Sequence, residues 1–400
     1  MLTGTLIGIV HAILSVVAVS LSILVFVLLA EIAASLARFR REPETTGAPS
    51  PTFAVVIPAH DEAGTIEHTL ASVLDQIRGR GRLLIVADNC TDDTATIAAT
   101  CGAEVIVRHE PDRRGKGYAL GFAVRHLAKD MPQVLVFLDA DCIPTAGTID
   151  KLVSACERLR RPIQARYELD APDRNAGTLA RVGSFAWRVK NIVRPMGLAN
   201  LGLPCQLMGT GMAFPSSGIV KLDLETGHLV EDMVFGLELT AAGMPPHFLP
   251  EANVRSELPP TIEGQTIQRT RWETGHLRVI FGRLPRLMGR AVINGNVPLF
   301  ALALDAAVPP LALMSLLLAV TMAASGLLTL AGGPSFAFVT TFVASIAAAV
   351  AVIAAWRIAA QDLLSAGEFF MLPGYVVAKI PLYLRALGGS KVPWIRSKRQ

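Results

Sequence analysis

Charge is nearly absent from two tracts of this chain. From Met1 to Ala30 there is no Lys, Arg, Asp or Glu, and from Ala291 to Trp356 the only formal charge is Asp305. Over all 400 residues, charged side chains make up 18% and hydrophobic ones 52%, a balance too apolar for an ordinary soluble enzyme. A basic excess is also missing. The net charge is +4 and dispersed, which argues against a nucleic-acid partner. The cysteines Cys90, Cys101, Cys142, Cys156 and Cys205 are five in number and lack CxxC spacing. That argues against a thiolate metal site and, in a reducing cytosol, predicts free thiols.

A membrane span needs roughly 20 apolar residues. Leu6 to Ala30 supplies one, and a cleaved signal peptide is disfavoured there because the run is long and no basic segment precedes it. The second tract is long enough for two spans, predicted at Val297–Leu330 and Phe336–Trp356, with the turn Ala331-Gly332-Gly333-Pro334-Ser335 between them. Lys and Arg cluster on one side only. Arg38, Arg40 and Arg41 follow the first span, Arg283, Arg286 and Arg290 precede the second, and Arg357, Lys391, Arg396, Lys398 and Arg399 follow the third. The side bearing them, with the large domain, is expected to be cytoplasmic, which makes the protein a multi-pass protein of the cell (inner) membrane.

The composition between the tracts is that of a soluble domain. The expected organisation is a transmembrane helix over 1–32, a linker over 33–51 that is Pro-rich from Glu42 to Pro51, a catalytic domain over 52–282, an interfacial helix over 283–296, two spans over 297–357, and an interfacial helix with a basic tail over 358–400. Within the soluble part, apolar runs at Phe53–Pro58, Arg82–Ala87, Glu104–Val107 and Val134–Leu138 read as strands. Thr65–Ile77, Asp92–Cys101 (opened by Thr91 as N-cap) and Lys116–Ala128 read as helices. This alternation predicts an α/β domain with a mostly parallel, Rossmann-like sheet and right-handed crossovers. The later half is less regular, with helices at Asp232–Ala242 and Thr266–Val279 and loops at Leu203–Ser217 and Gly243–Pro250.

Parallel sheets place ligand sites beyond the carboxyl ends of their strands. Three of these predicted strands end in acids: Asp61-Glu62, Asp88, and Asp139-Ala140-Asp141. One such acid usually caps a helix. Three at one edge repel each other unless a cation sits among them, and hard oxygen ligands suit Mg2+ or Mn2+.

These residues carry a specific resemblance. Val56 to Glu62, Val86 to Thr94, Gly115-Lys116-Gly117 and Asp139-Ala140-Asp141, followed by Glu231-Asp232 and by Gln268-Arg269-Thr270-Arg271-Trp272, resemble in order the motifs of the family 2 glycosyltransferases of GT-A fold, including the DxD, ED and QxxRW signatures. The resemblance covers roughly residues 50–280. It implies that Pro58, Asp61, Glu62, Asp88, Lys116, Asp139 and Asp141 bind a nucleotide sugar, favouring a UDP-sugar. Asp139 and Asp141 would hold the metal, and Asp141 would be the foremost direct ligand. Gln268, Arg271 and Trp272 would close over the diphosphate and acceptor, and Asp232 would be the general base. Gly209, Thr210, Gly211 and Glu231 would form the acceptor loop. The wording departs from the commoner family pattern at Met208–Met212 and at Asn89-Cys90.

The function so implied is an inverting hexosyl transfer to a lipid or lipid-linked saccharide at the cytoplasmic membrane face, in polysaccharide or glycolipid biosynthesis, with polysaccharide assembly or export proteins as partners. Processive synthesis of a β-linked polysaccharide is the alternative, disfavoured because three spans make a poor channel for a polar chain. A catalytically inactive scaffold would not need every expected catalytic residue type. A transporter is disfavoured by the single charge of the C-terminal membrane tract.

Overall fold

The computed structural model describes residues 2–37, 51–170, 177–220, 222–259 and 261–387. The Glu42–Ser50 part of the linker, the basic flank from Arg38 to Arg41 and the basic tail beyond residue 387 lie outside the described residues. In chain order, helix α1 (Leu2–Ser35) precedes strand β1 (Phe53–Ala59), α2 (Ile66–Ile77), β2 (Arg82–Asp88), α3 (Thr94–Thr100), β3 (Glu104–Arg108) and α4 (Lys116–Leu127). Then come β4 (Val134–Phe137), β5 (Ile143–Pro144), α5 (Thr148–Leu159), β6 (Ile163–Asp170), α6 (Thr178–Arg188) and, through a π-helical turn, α7 (Arg194–Asn200). Strand β7 (Met212–Pro215), α8 (Ser216–Ile219), α9 (Glu231–Ala241), β8 (His247–Glu257), α10 (Ile262–Gly282) and α11 (Leu284–Ile293) follow. The chain continues through α12 (Val297–Ala307), α13 (Leu311–Leu330) and α14 (Phe336–Ala359) to the short helices α15 (Ala366–Phe369), α16 (Leu372–Ala378) and α17 (Ile380–Leu387).

The described residues divide into two units. One holds 51–170 and 202–302, and the other holds 2–37, 177–201 and 303–387. Residues 177–201 therefore group with the helical unit, although they lie inside the stretch expected to be one catalytic domain.

The first unit is built on an eight-stranded sheet of order β3-β2-β1-β4-β7-β6-β8-β5. Strands β1, β2 and β4 are runs of apolar residues with almost no exposure, the pattern of strands covered on both faces. They and β3 pair in parallel. The other half is mixed: β7 is antiparallel to both β4 and β6, β8 is parallel to β6, and β5 is antiparallel to β8. The sheet is mostly parallel as expected, since the antiparallel pairings all involve β5 or β7. Phe137 and Phe214 meet beneath the sheet centre with ring centroids 5.2 Å apart, within a core of Val56, Leu84, Leu120, Leu135 and Phe235.

In the second unit α1, α13 and α14 are long and apolar enough to cross a membrane. The span expected over Val297–Leu330 is instead two helices. Pro309 and Pro310 follow α12 after the single residue Val308; they lack backbone donors and disfavour helical geometry in the residues before them. The remaining eleven residues of α12 are too short to cross. Helix α1 packs on α14, α13 and α7. Three of the buried charges of this unit form one set. Arg194 donates from Nε to Glu31 Oε2 at 2.5 Å, and from Nη2 to Asp305 Oδ1 at 2.5 Å and to the Asp305 carbonyl at 2.8 Å. Gly197, one turn beyond Arg194, has no side chain to clash with the Glu31 carbonyl, so α7 and α1 approach closely.

Candidate active site

The parallel half of the sheet sets three acidic segments side by side, because β2, β1 and β4 are neighbours and all run the same way. Pro58 is the penultimate residue of β1, opposite Val86. Beyond it the chain turns sharply: Asp61 has φ 53° and Asn89, after β2, has φ 52°, left-handed values that asparagine and aspartate tolerate better than most residues. The Asp61 carboxylate accepts from the Thr91 backbone N–H at 2.6 Å and from the Thr91 hydroxyl at 3.2 Å. Thr91 is thus a partner of Asp61 and not the cap of α3, which begins only at Thr94. Glu62 donates its N–H to Thr94 Oγ1 at 2.7 Å, and its carboxylate accepts from Thr65 Oγ1 at 3.0 Å.

Asp88 ends β2 and is almost fully buried. Burial raises its pKa above the usual aspartate value, and Arg108 opposes that shift. Arg108 is opposite Asp88 in the β2–β3 register, and its Nη1 reaches Asp88 Oδ1 at 2.5 Å.

The third acidic segment meets the start of α4 and the loop around Gly209. Lys116 opens α4, and its Nζ is ion-paired to Asp139 and donates to the Gly209 carbonyl oxygen at 2.6 Å. Burial would depress the Lys116 pKa, but the carboxylates of Asp139, Glu231 and Asp232 outweigh it and raise that pKa above the ordinary value. The Asp139 N–H donates to Thr210 Oγ1 at 3.1 Å. Gly209 and Gly211 both have positive φ, 89° and 63°. A Cβ on Gly209 would lie 3.3 Å from Asp232 Oδ2 and 3.7 Å from Lys116 Nζ, and one on Gly211 would lie 2.8 Å from Val254 Cγ2. Glycine is therefore needed at both positions, for conformation and for space.

Asp139, Asp141 and Cys142 each offer a ligand atom within 4.8 Å of one another. Cys142 is pushed up to about 12, by burial first and then by the Asp139 charge, so it stays a neutral thiol, and it donates to Asp141 Oδ1 at 3.4 Å. The hard donors of this cluster are therefore the two aspartates, which suits Mg2+ or Mn2+ better than a thiophilic metal. A second group, Asp61, Cys90 and Asp92, has similar spacing, but its carboxylates already accept from Thr91, Ala63 and Thr94.

Glu231 and Asp232 begin α9. Glu231 is pushed up to about 7, by burial first and then by the Asp232 charge, with Lys116 and Arg271 opposing. Arg271 lies on α10 with Gln268 and Gly275 at helical spacings of three and four, so the three share a face. A Cβ on Gly275 would meet Val230 Cγ1 at 2.8 Å and Leu229 Cβ at 3.1 Å. Its absence seats α10 directly against the segment leading into Glu231-Asp232. Gln268 is buried with its Oε1 unpartnered among the described residues, and the Nε of Arg271 is likewise buried and unpartnered. Trp272, the next residue, is half-buried.

Two contributors were not singled out in the sequence. Gln164 is fully buried on β6; its amide donates to the Thr210 carbonyl at 2.9 Å, and its Oε1 accepts from the Met208 N–H at 2.9 Å, holding the glycine loop in place. A glutamine inside the apolar start of β6 was the available signal. Arg108 is the other, and its signal was an arginine closing the strand Glu104-Val105-Ile106-Val107.

A family model described as glycosyltransferase like family 2 matches residues 49–275. The chain is 36% identical over 145 residues to an uncharacterised glycosyltransferase of Mycobacterium bovis, an alignment covering 34% of this chain and 58% of that protein. It is 40% identical over 98 residues to the glucosyl-3-phosphoglycerate synthase of Mycobacterium tuberculosis, covering 23% of this chain and 29% of that one. Among solved structures, a mannosyltransferase from Pyrobaculum calidifontis in complex with GDP-Man and Mn2+ matches with a TM-score of 0.57 at 17% identity, over 94% of this chain and 100% of that one. That likeness bears on the fold, which is GT-A. Since the family model spans more than half of the sequence, the chain belongs to glycosyltransferase family 2.

Proposed function

We propose that the protein is an inverting glycosyltransferase that moves a sugar from a nucleotide sugar to a lipid or lipid-linked saccharide at the cytoplasmic face of the cell membrane. The observation that carries this reading is the convergence of Lys116, Asp139, the Gly209 carbonyl and the Asp232 carboxylate on one place in the fold. A cation suited to phosphate and a carboxylate suited to a hydroxyl proton thus border the same glycine loop. The acceptor hydroxyl oxygen bonds to the anomeric carbon of the donor as the bond from that carbon to the diphosphate oxygen breaks. The electron pair leaves on the diphosphate, and the hydroxyl proton passes to Asp232. One displacement, with no enzyme nucleophile, inverts that carbon.

Lys116 and Arg271 neutralise the charge that grows on the leaving diphosphate, Arg271 with a fork that suits phosphate oxygens. The unpartnered atoms of Gln268 and Arg271 are donors and acceptors available to a bound donor or acceptor. The indole of Trp272 suits the apolar face of a sugar ring. Asp139 and Asp141 would hold Mg2+ or Mn2+, whose positive charge would further stabilise the diphosphate. Asp61, Glu62 and Asp88 lie toward the nucleoside end. Three helices able to cross a membrane and the one-sided Lys and Arg flanks support the membrane setting and a lipid acceptor.

The test is a panel of radiolabelled nucleotide sugars given to membranes containing the protein and resolved into lipid and polymer fractions. One added sugar in the lipid fraction is expected. A ladder of lengths would favour processive synthesis. Failure of every donor to release nucleoside diphosphate would leave the scaffold reading.

A further inference from the structure

The segment that leads into Asp232 runs over one side of α4. Gly117, Gly121 and Arg125 succeed one another at a spacing of four, so they share that side. A Cβ on Gly117 would lie 2.4 Å from the Leu224 carbonyl oxygen and 2.8 Å from that of Thr226, and one on Gly121 would lie 2.7 Å from Glu225 Cγ. The two glycines therefore let residues 224–226 rest directly on the helix. Glu225 is then gripped by two cations. Arg113, in the loop before α4, donates from Nη2 to Glu225 Oε2 at 2.5 Å, and Arg125 pairs with the same carboxylate. Both arginines are themselves held. The Arg113 guanidinium lies 4.8 Å from the Tyr118 ring centroid, and its carbonyl oxygen accepts from Arg108 Nη2 at 2.8 Å. The Arg125 guanidinium lies 5.8 Å from the Phe122 ring centroid.

Beyond Glu225 the segment passes to α10. His228 Nε2 is 2.7 Å from Arg283 Nη2, at the end of that helix, and Leu229 and Val230 lie against Gly275. Glu231 and Asp232 then open α9, and Asp232 comes to stand beside Lys116 and Gly209. Lys116 and the glycine side belong to the same helix, so whatever registers residues 224–226 on α4 also sets how far Asp232 stands from Lys116. Glu225 is the one formally charged residue between Leu224 and Val230. Contacts of backbone against glycine set how closely the segment approaches but let it slide, whereas a carboxylate held between two fixed guanidinium groups sets its register. We infer that Glu225 is a positioning residue for sugar transfer: latched to Arg113 and Arg125, it fixes the place of Asp232 relative to Lys116. This rests on the transferase reading above, with Asp232 as the base. Ion pairs as accessible as these contribute little to stability, so the effect falls on geometry, where a misplacement of about 1 Å can cost about a hundredfold in rate.

The experiment is a double-mutant cycle on the full-length protein in membranes, using the radiolabelled nucleotide sugar that the panel above selects. Glu225→Gln removes the charge at constant size. Glu225→Lys places a third cation beside the two arginines and detaches the segment. At saturating donor the transfer rate is expected to fall about tenfold for Glu225→Gln and up to about a hundredfold for Glu225→Lys. The affinity for the matching nucleoside diphosphate, titrated with Mn2+ present, is expected to stay within about twofold, since the change is confined to the transition state. Glu225→Gln is then combined with Asp232→Asn. Residues that act as a unit are not additive, so in that background Glu225→Gln is expected to cost less than about a further twofold. A change that merely loosened the fold would exact its full factor in both backgrounds and lower the melting temperature. Should Glu225→Lys fail to fold, Glu225→Gln decides. An unchanged rate in the folded variants, or full additivity with Asp232→Asn, would overturn this inference and leave the transferase reading standing. Normal transfer by Asp232→Asn alone would overturn it too, by removing the base it positions. A wild type that transfers sugar from no donor would overturn both.

Discussion

Lys116 donates to the Gly209 carbonyl oxygen at 2.6 Å while its ammonium is paired with Asp139. One cation thereby ties together the start of α4, the carboxyl end of β4 and the glycine loop, segments separated by 23 and 93 positions from Lys116. Around it lie the carboxylates of Asp139, Glu231 and Asp232. Lys116→Met would leave three acids crowded with one cation fewer. A hydrogen bond to a charged group contributes about 1.5–3 kcal/mol, so nucleotide affinity is expected to fall roughly ten- to a hundredfold. Titration of the variant with UDP checks this, and unchanged affinity would show that Lys116 serves only the loop.

The metal follows from the donor set. Asp139 and Asp141 are hard ligands, and Cys142 beside them stays a neutral thiol. Asp141→Asn is expected to reduce transfer by about a hundredfold or more, since a bound divalent ion supplies several kcal/mol of charge stabilisation. EDTA is expected to do the same to the wild type, with recovery on adding Mn2+ or Mg2+. Full transfer in excess EDTA would rule out a metal-dependent reaction.

The two charges that interrupt the apolar tracts most visibly, Glu31 at the end of the first and Asp305 within the second, are the two partners of Arg194. Removing one member of such a buried set is costly, about 3–5 kcal/mol, whereas replacing the whole set by apolar residues is often close to neutral. Arg194→Met is therefore expected to lower the melting temperature of the detergent-solubilised protein sharply. The triple variant Glu31→Leu, Arg194→Met, Asp305→Leu is expected to recover most of it. Equal losses in both would show that the charges are not coupled.

What the sequence revealed depended on whether the cause was local. Strands β1, β2 and β4 were legible to within a residue, because each is built on an apolar run with an acid at or just beyond its end. The break at Pro309-Pro310 was also local, and the run of apolar residues around it masked it. The pairing of β6 with β7 and β8 was not legible, since it joins residues as far apart as Ile163 and His247 and no local pattern encodes it. The candidate site divides the same way. Motifs identified Asp88, Lys116 and Asp139, but Arg108 matters only through its register opposite Asp88, and Gln164 only through its reach to Thr210. The closeness of Asp232 to Gly209 likewise exists only once the chain is folded.

Orientation in the membrane can be checked independently. Among the described residues the helices Ile7–Ser35, Leu311–Leu330 and Phe336–Ala359 are the three able to cross, an odd number, so the two ends of the described chain are expected on opposite sides. With the basic flanks inside, the N-terminus is expected outside and the C-terminus in the cytoplasm. A reporter fused to the C-terminus and active only outside the cytoplasm would reverse this assignment.

The general base gives the sharpest separation between a chemical role and a structural one. Asp232 sits in the first turn of α9, where an acid stabilises a helix in any case, and its Oδ1 accepts from the Met233 N–H at 2.8 Å. If that is its whole role, Asp232→Asn keeps most of the effect, and the cost is about 1 kcal/mol or less. If Asp232 takes the acceptor proton, the same variant is expected to bind nucleotide within about threefold of wild type and to transfer sugar about 10²–10⁴ times more slowly. Glu231 supplies a second readout. Its pKa is held up at about 7, by burial first and then by the Asp232 charge, so between about 4.5 and 7 the folded protein keeps a proton that the unfolded chain releases. Stability from this group is complete below that window and declines as the pH rises through it. In Asp232→Asn the neighbouring charge is gone, the Glu231 pKa falls, and the decline becomes shallower. Melting temperatures measured in EDTA at pH 5 and pH 8 should therefore differ less in the variant than in the wild type. A variant that shows this flattening has lost the Asp232 charge without losing its fold, and its transfer rate then decides the matter: a rate near that of the wild type excludes Asp232 as the base.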